Sequence, residues 1–107
     1  MKILAITSCP LGIVCTNLAR EALEQAAKKT NVDIKVETQG EFKENEITKY
    51  DIEEASAIIL TSDGPIEGKE RFKDLPIVYA SCKDIMQNSL NIIKNINIKY
   101  KNIIELW

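Results

Sequence analysis

Cys9 is the residue with the most chemistry open to it. It lies in the run Thr7-Ser8-Cys9-Pro10-Leu11-Gly12-Ile13-Val14-Cys15-Thr16-Asn17, between an apolar strand and a helix. A loop that leaves the carboxyl end of a first parallel strand and opens onto a helix N-terminus gathers backbone N–H groups and a positive dipole end around one point. Both favour an anion. A thiol held there is expected to titrate below the free value of about 8.5, which makes it a thiolate nucleophile at neutral pH. The same loop, residues Pro10, Leu11, Gly12, Ile13, Val14, Cys15 and Thr16, would then cradle a phosphate carried on the sulfur.

Histidine is absent, which removes the commonest general base, the commonest metal ligand and every Cys-His or Ser-His pair. Chemistry must run through cysteine, carboxylate, hydroxyl or backbone. The three cysteines, Cys9, Cys15 and Cys82, are an odd number without zinc spacing, so neither a disulfide framework nor a metal site is indicated, and reduced thiols are expected. Cys9 and Cys15 do not have the C-x-x-C spacing of a redox pair. Cys15 reads as a loop filler, and Cys82 as a structural residue beginning the last helix.

The positioning elements follow from periodicity. Lys2-Ile3-Leu4-Ala5-Ile6-Thr7 is apolar without alternation, as in a central strand buried on both faces. Leu18, Ala19, Ala22, Leu23, Ala26 and Ala27 recur at helical spacing, with Thr16 or Asn17 as a start cap and Asn31 at the end. Val32 to Thr38 alternates, which predicts an edge strand with one solvated face. A short helix is expected over 48–54, a third strand over Ala57–Thr61, a turn at Asp63-Gly64-Pro65 and a fourth strand over Leu75–Ala80. A helix from about Lys83 to Lys94 follows, and residues 95–107 fit a helix extension, an edge strand or a segment docked on the sheet.

Strands alternating with helices predict an α/β fold: a single-domain Rossmann-like three-layer sandwich with a four-stranded parallel sheet, order 2-1-3-4, flanked by helices. The 107 residues, 45% hydrophobic, suit one domain spanning 1–107. Lys plus Arg number 14 against 16 Asp plus Glu, a formal charge of -2 with no block of like charge, which argues against nucleic-acid binding. No run of about 20 apolar residues and no signal peptide is evident, so a cytoplasmic protein without direct membrane insertion is expected.

The run Cys9-Pro10-Leu11-Gly12-Ile13-Val14-Cys15-Thr16 resembles the signature C-P-T-G-I-A-H-T of the fructose-family enzyme IIB component of the bacterial sugar phosphotransferase system. Val36-Glu37-Thr38-Gln39-Gly40 matches the family's V-E-T-Q-G, and Asp63 with Arg71-Phe72 fits its later pattern. The chain departs from the family at Leu11 and Cys15, where Thr and His are usual. The resemblance implies that Cys9 accepts a phosphoryl group from a phosphohistidine on enzyme IIA and passes it to a sugar held by membrane enzyme IIC. That would bring the protein transiently to the inner face of the membrane. No cofactor and no metal are implied, because phosphoryl transfer asks mainly for positioning and charge stabilisation. Gly12 would let the backbone approach the phosphate, and the Thr16 hydroxyl would donate to it while capping the helix.

Two other readings use the same residues. Low-molecular-weight tyrosine phosphatases and arsenate reductases also set a cysteine in a phosphate loop after a first strand, but they carry Arg six residues later, where this chain has Cys15. A degenerate domain that only binds a partner or an anion is the non-enzymatic alternative. Glu37, Thr38, Gln39 and Gly40 read as a strand end shaping the surface beside the loop, and Asp63 as a helix cap rather than a catalytic group.

Overall fold

The computed structural model describes residues 1–10, 12–39 and 43–105, with side chains for all of these except 13 and 100–105. In chain order the elements are β1 (Lys2–Thr7), α1 (Ile13–Thr30), β2 (Asp33–Gln39), β3 (Lys43–Glu44), α2 (Lys49–Glu54), β4 (Ala57–Thr61), a single 3-10 turn (Lys69–Phe72), β5 (Ile77–Ala80) and α3 (Cys82–Glu105). The sheet order is β3-β2-β1-β4-β5. β1 pairs in parallel with β2 and β4, and β4 with β5, so the four long strands take the expected order. The expectation of a four-stranded, wholly parallel sheet is corrected by β3, which pairs antiparallel through Thr38–Glu44 and Gln39–Lys43. Two exposed charged residues carry no period by which a strand could be read.

Side chains alternate across β1, and each face meets a different layer. Ile3 and Ala5 pack with Ala57 and Ile59 against Ala19 and Leu23 of α1 and Ile85 and Ile93 of α3. Leu4 and Ile6 turn to the other face and pack with Ile58, Leu60, Ile47 and Phe72, bordered by Ile52 of α2. Burying one such side chain fully contributes about 1.5–3 kcal/mol, and these two clusters fix the strand's register on both faces.

α1 ends at Asn31, as its type and position suggest, in the left-handed conformation with φ 56°. Its start differs from expectation. The helix begins at Ile13 with Gly12 in the cap position, so Thr16 lies inside the first turn and neither it nor Asn17 caps the helix. Leu18 also departs from the helical stripe: it is 49% exposed, while Ala19 and Leu23 take the core positions.

α2 is short and held by side chains. Thr48 and Asp51 form a reciprocal capping box, and Asp51 also accepts from Lys2 at 2.8 Å and Lys35 at 2.6 Å, which ties the helix to β1 and β2. Lys2, then Lys35 and the Thr48 amide, hold the Asp51 carboxyl well below its usual range. α3 runs well past Lys94, through a bend at Asn88, and so resolves residues 95–105 as helix. The Ser89 hydroxyl donates to Ala22 C=O at 3.1 Å and joins α3 to α1.

Candidate functional site

β1 is the strand from which connections leave in both directions, to β2 on one side and β4 on the other. A crevice outside the carboxyl ends of the strands forms at such a switch point. Cys9 follows β1, Asp63 follows β4 and Cys82 follows β5, so all three collect along this edge.

The Cys9 loop is held from beneath by hydroxyls. The Ser8 N–H donates to Thr61 Oγ1 at 3.0 Å, and the Thr61 hydroxyl donates to Ser8 C=O at 3.1 Å. The Cys9 N–H donates to Thr16 Oγ1 at 3.2 Å, and the Thr16 hydroxyl donates to Gly12 C=O at 3.1 Å. The Thr16 hydroxyl thus braces the loop's own backbone at Cys9 and Gly12. Gly12 has φ 104° and ψ -168°, a conformation open to glycine alone, and makes the turn into α1. The N-cap residue Gly12 has no side chain to cap α1, and the N–H groups of Ile13, Val14 and Cys15, in the first turn, have no acceptor within the helix. Leu11 and Gly40, both singled out by the sequence, lie outside the described residues.

Gly64 carries a constraint that only the fold reveals. A Cβ there would stand 1.7 Å from the Ser8 carbonyl oxygen, so the β4 loop reaches the Cys9 loop only because residue 64 has no side chain. Asp63 beside it accepts the Cys82 N–H at 3.2 and 3.3 Å, and Ser81 accepts the Asp84 N–H at 3.1 Å. Asp63 thus caps α3, in line with its reading as a cap.

The expectation of reduced thiols and no disulfide is overturned. Cys9 and Cys82 are disulfide-bonded, with Cα atoms 6.1 Å apart across 73 positions of sequence. Linear spacing does not report which strand ends share a sheet edge. Cys15 is free and partly buried, and the three sulfurs lie within 4.8 Å of one another. They are the residues that could hold a thiophilic ion, but two of the three are spent on the disulfide in this state.

Glu37, Thr38 and Gln39 are buried, so β2 is not the half-solvated strand its alternation predicts. Glu37 has no exposure. It accepts from Arg71 at 3.2 and 3.3 Å, from the Ile47 N–H at 2.9 Å and from the Gln39 amide. Burial pushes its carboxyl up, but Arg71, Gln39 and the Ile47 N–H outweigh it and leave Glu37 below its ordinary value of 4.5. Gln39 also exchanges bonds with the Glu67 backbone at 2.8 and 3.0 Å. The network fastens the segment after β4 to the end of β2.

Cys9 at the switch point of an open α/β sheet, beside the start of the helix that follows β1, places the chain among small doubly wound α/β domains. Residues 4–95 match the family described as "PTS system, Lactose/Cellobiose specific IIB subunit". The "PTS system fructose-like EIIB component 2" of Escherichia coli K12 is 43% identical over 89% of this chain and 91% of that protein. Component 1 of the same organism is 36% identical over 89% of each. The solution structure of an Enzyme IIB subunit of the PTS system from Escherichia coli K12 superposes with a TM-score of 0.85, at 34% identity over 99% of this chain and 97% of that one. A domain from a fructose-specific IIABC component of Borrelia burgdorferi gives 0.82 at 38% identity, over 89% of this chain and 91% of that one. The chain belongs to the IIB family of the phosphotransferase system, and its relatives are of the fructose-like type.

The phosphatase alternative lacks its clamp. Cys15 stands in place of the arginine, and Arg20 lies further along α1, paired with Glu24 at 3.9 Å. Among the described residues no helix is long and apolar enough to cross a membrane.

Proposed function

We propose that Cys9, once reduced, is the phosphoryl acceptor of this IIB component and that residues 10–16 form its phosphate cradle. The Cys9 thiolate attacks the phosphorus of a phosphohistidine on enzyme IIA; the P–S bond forms as the P–N bond breaks, and the imidazole leaves. A hydroxyl of a sugar held by membrane enzyme IIC then attacks the phosphorus and gives up its proton to solvent; the O–P bond forms as the P–S bond breaks, and the thiolate departs. The observation that carries this reading is the uncapped first turn of α1 beside Cys9, whose open N–H groups suit a dianionic phosphoryl group. Gly12 supplies the turn, and Thr16 fixes both ends of the loop through Cys9 and Gly12. Neither contact needs the Thr and His usual at positions 11 and 15.

Val14, within the cradle segment, and Leu18 just past it are 68% and 49% exposed and stand one turn apart on α1. They offer enzyme IIA an apolar surface beside the acceptor sulfur. Residues 1–107 act here as one IIB unit. The test uses reduced protein, phosphoenolpyruvate, the general phosphotransferase proteins and enzyme IIA, followed by membrane vesicles containing IIC and sugar. One phosphoryl group is expected to appear by intact mass at neutral pH and to vanish on adding vesicles. A protein that binds IIA yet takes no phosphate would mark a degenerate domain.

A further inference from the structure

We propose that Cys9 and Cys82 form a reversible thiol-oxidation site that switches the phosphoryl-accepting sulfur off. The proposal rests on the reading of Cys9 as acceptor. The pair is held together by contacts independent of the S–S bond. Thr61 fixes Ser8 by two hydrogen bonds, Gly64 lies against the Ser8 carbonyl, and neighbouring Asp63 accepts the Cys82 N–H. The end of β4 is therefore a spacer between the β1 loop and the start of α3 that works through contacts not involving sulfur, and the Cys9 and Cys82 Cα atoms it separates lie 6.1 Å apart.

The oxidant is a disulfide of a small molecule or protein. The Cys9 thiolate attacks one of its sulfurs and expels a thiolate; Cys82, deprotonated, attacks Cys9 Sγ and expels the second. Two electrons pass from the protein pair to the oxidant, and the two protons lost by Cys9 and Cys82 end on the released thiols. A dithiol reverses the sequence. Cys9 is the more exposed of the two, 8% against 3%, so Cys9 meets the external disulfide and Cys82 resolves it. In the bonded state Cys9 Sγ has no thiolate with which to attack phosphorus, so oxidation and phosphorylation exclude each other.

The test equilibrates full-length protein with oxidised dithiothreitol, removes the reagent, maps disulfides by non-reducing peptide mass spectrometry and then assays phosphorylation by IIA. Wild type is expected to yield a Cys9–Cys82 peptide, to lose phosphorylation in the linked fraction and to regain it fully on reduction. Cys82→Ser is expected to be phosphorylated as well after oxidant as before. A measurement without mutation runs the reverse way: protein phosphorylated first is expected to resist linkage. Three titratable thiols after oxidation, a Cys9–Cys15 link instead, or phosphorylation of the linked form would each overturn the proposal. If reduced wild type takes no phosphate at all, the acceptor reading and the switch fail together, whereas the peptide map alone decides whether the oxidation site exists.

Discussion

Thr16 holds the backbone of Cys9: its hydroxyl accepts the Cys9 N–H at 3.2 Å while donating to Gly12 C=O at 3.1 Å, so one buried side chain closes the loop around the sulfur. Thr16→Val keeps the shape and removes both side-chain bonds, leaving the buried Cys9 N–H unpaired while Gly12 C=O still accepts the backbone N–H of residue 16. A loss of about 1–3 kcal/mol in urea unfolding is expected. Phosphorylation by IIA is expected to slow about tenfold, equivalent to about 1.4 kcal/mol in barrier. An unchanged rate would show that the brace does not shape the cradle.

Gly64 and Gly12 should respond differently to alanine. At Gly64 the new methyl meets the Ser8 carbonyl, and the two loops must part, at a cost of about 1–3 kcal/mol with loss of the Cys9–Cys82 approach. At Gly12 the space is open, and only the φ of 104° is strained. Oxidised dithiothreitol is therefore expected to link Gly12→Ala but not Gly64→Ala, as read by peptide mapping.

Buried Glu37, paired with the partly exposed Arg71, sets an acid limit on stability. Because the folded Glu37 carboxyl lies below its ordinary 4.5, the unfolded chain binds the proton first; the stabilisation is present above that value and is lost as pH falls through the folded one. Asp51 adds in the same direction at lower pH. Unfolding free energy is expected to fall steadily from pH 4.5 downward, with a flatter slope for Glu37→Gln. Arg71→Met leaves the carboxylate buried without its partner, an expected loss of about 3–5 kcal/mol at neutral pH.

Leu18→Asp tests the apolar surface beside the loop. Leu18 is half exposed, so the change should alter stability little. Its expected effect is a several-fold higher concentration of IIA for half-maximal phosphorylation rate, with the rate at saturation preserved. A reduced saturating rate at unchanged half-saturation would place Leu18 in the cradle rather than the docking surface.

The fold was readable where burial and periodicity coincide. β1 and β4 are apolar because both faces are covered, and α1 shows its core face through Ala19, Leu23 and Ala26. The reading failed where polar residues are inside. Glu37 looks solvated in an alternating strand and Gln39 lies just past its expected end, but Arg71, 34 positions from Glu37, and the Glu67 backbone satisfy them, and no local pattern reveals such a partner. Cys9 was legible from its loop. Cys82 was not, because its approach depends on β4 standing between β1 and β5 and on a glycine that contacts Ser8. The helical course of residues 95–105 was likewise open, since the Ile, Asn and Lys spacing there suits strand and helix alike.

The central claim is that Cys9 carries the phosphoryl group. The most direct measurement is phosphorylation of reduced wild type, Cys9→Ser, Cys15→Ser and Cys82→Ser by phosphoenolpyruvate, the general proteins and IIA, read by intact mass at neutral pH. Circular dichroism checks that each variant is folded. One phosphoryl group is expected on wild type, Cys15→Ser and Cys82→Ser, and none on folded Cys9→Ser. A phosphoryl group retained by Cys9→Ser would contradict the account.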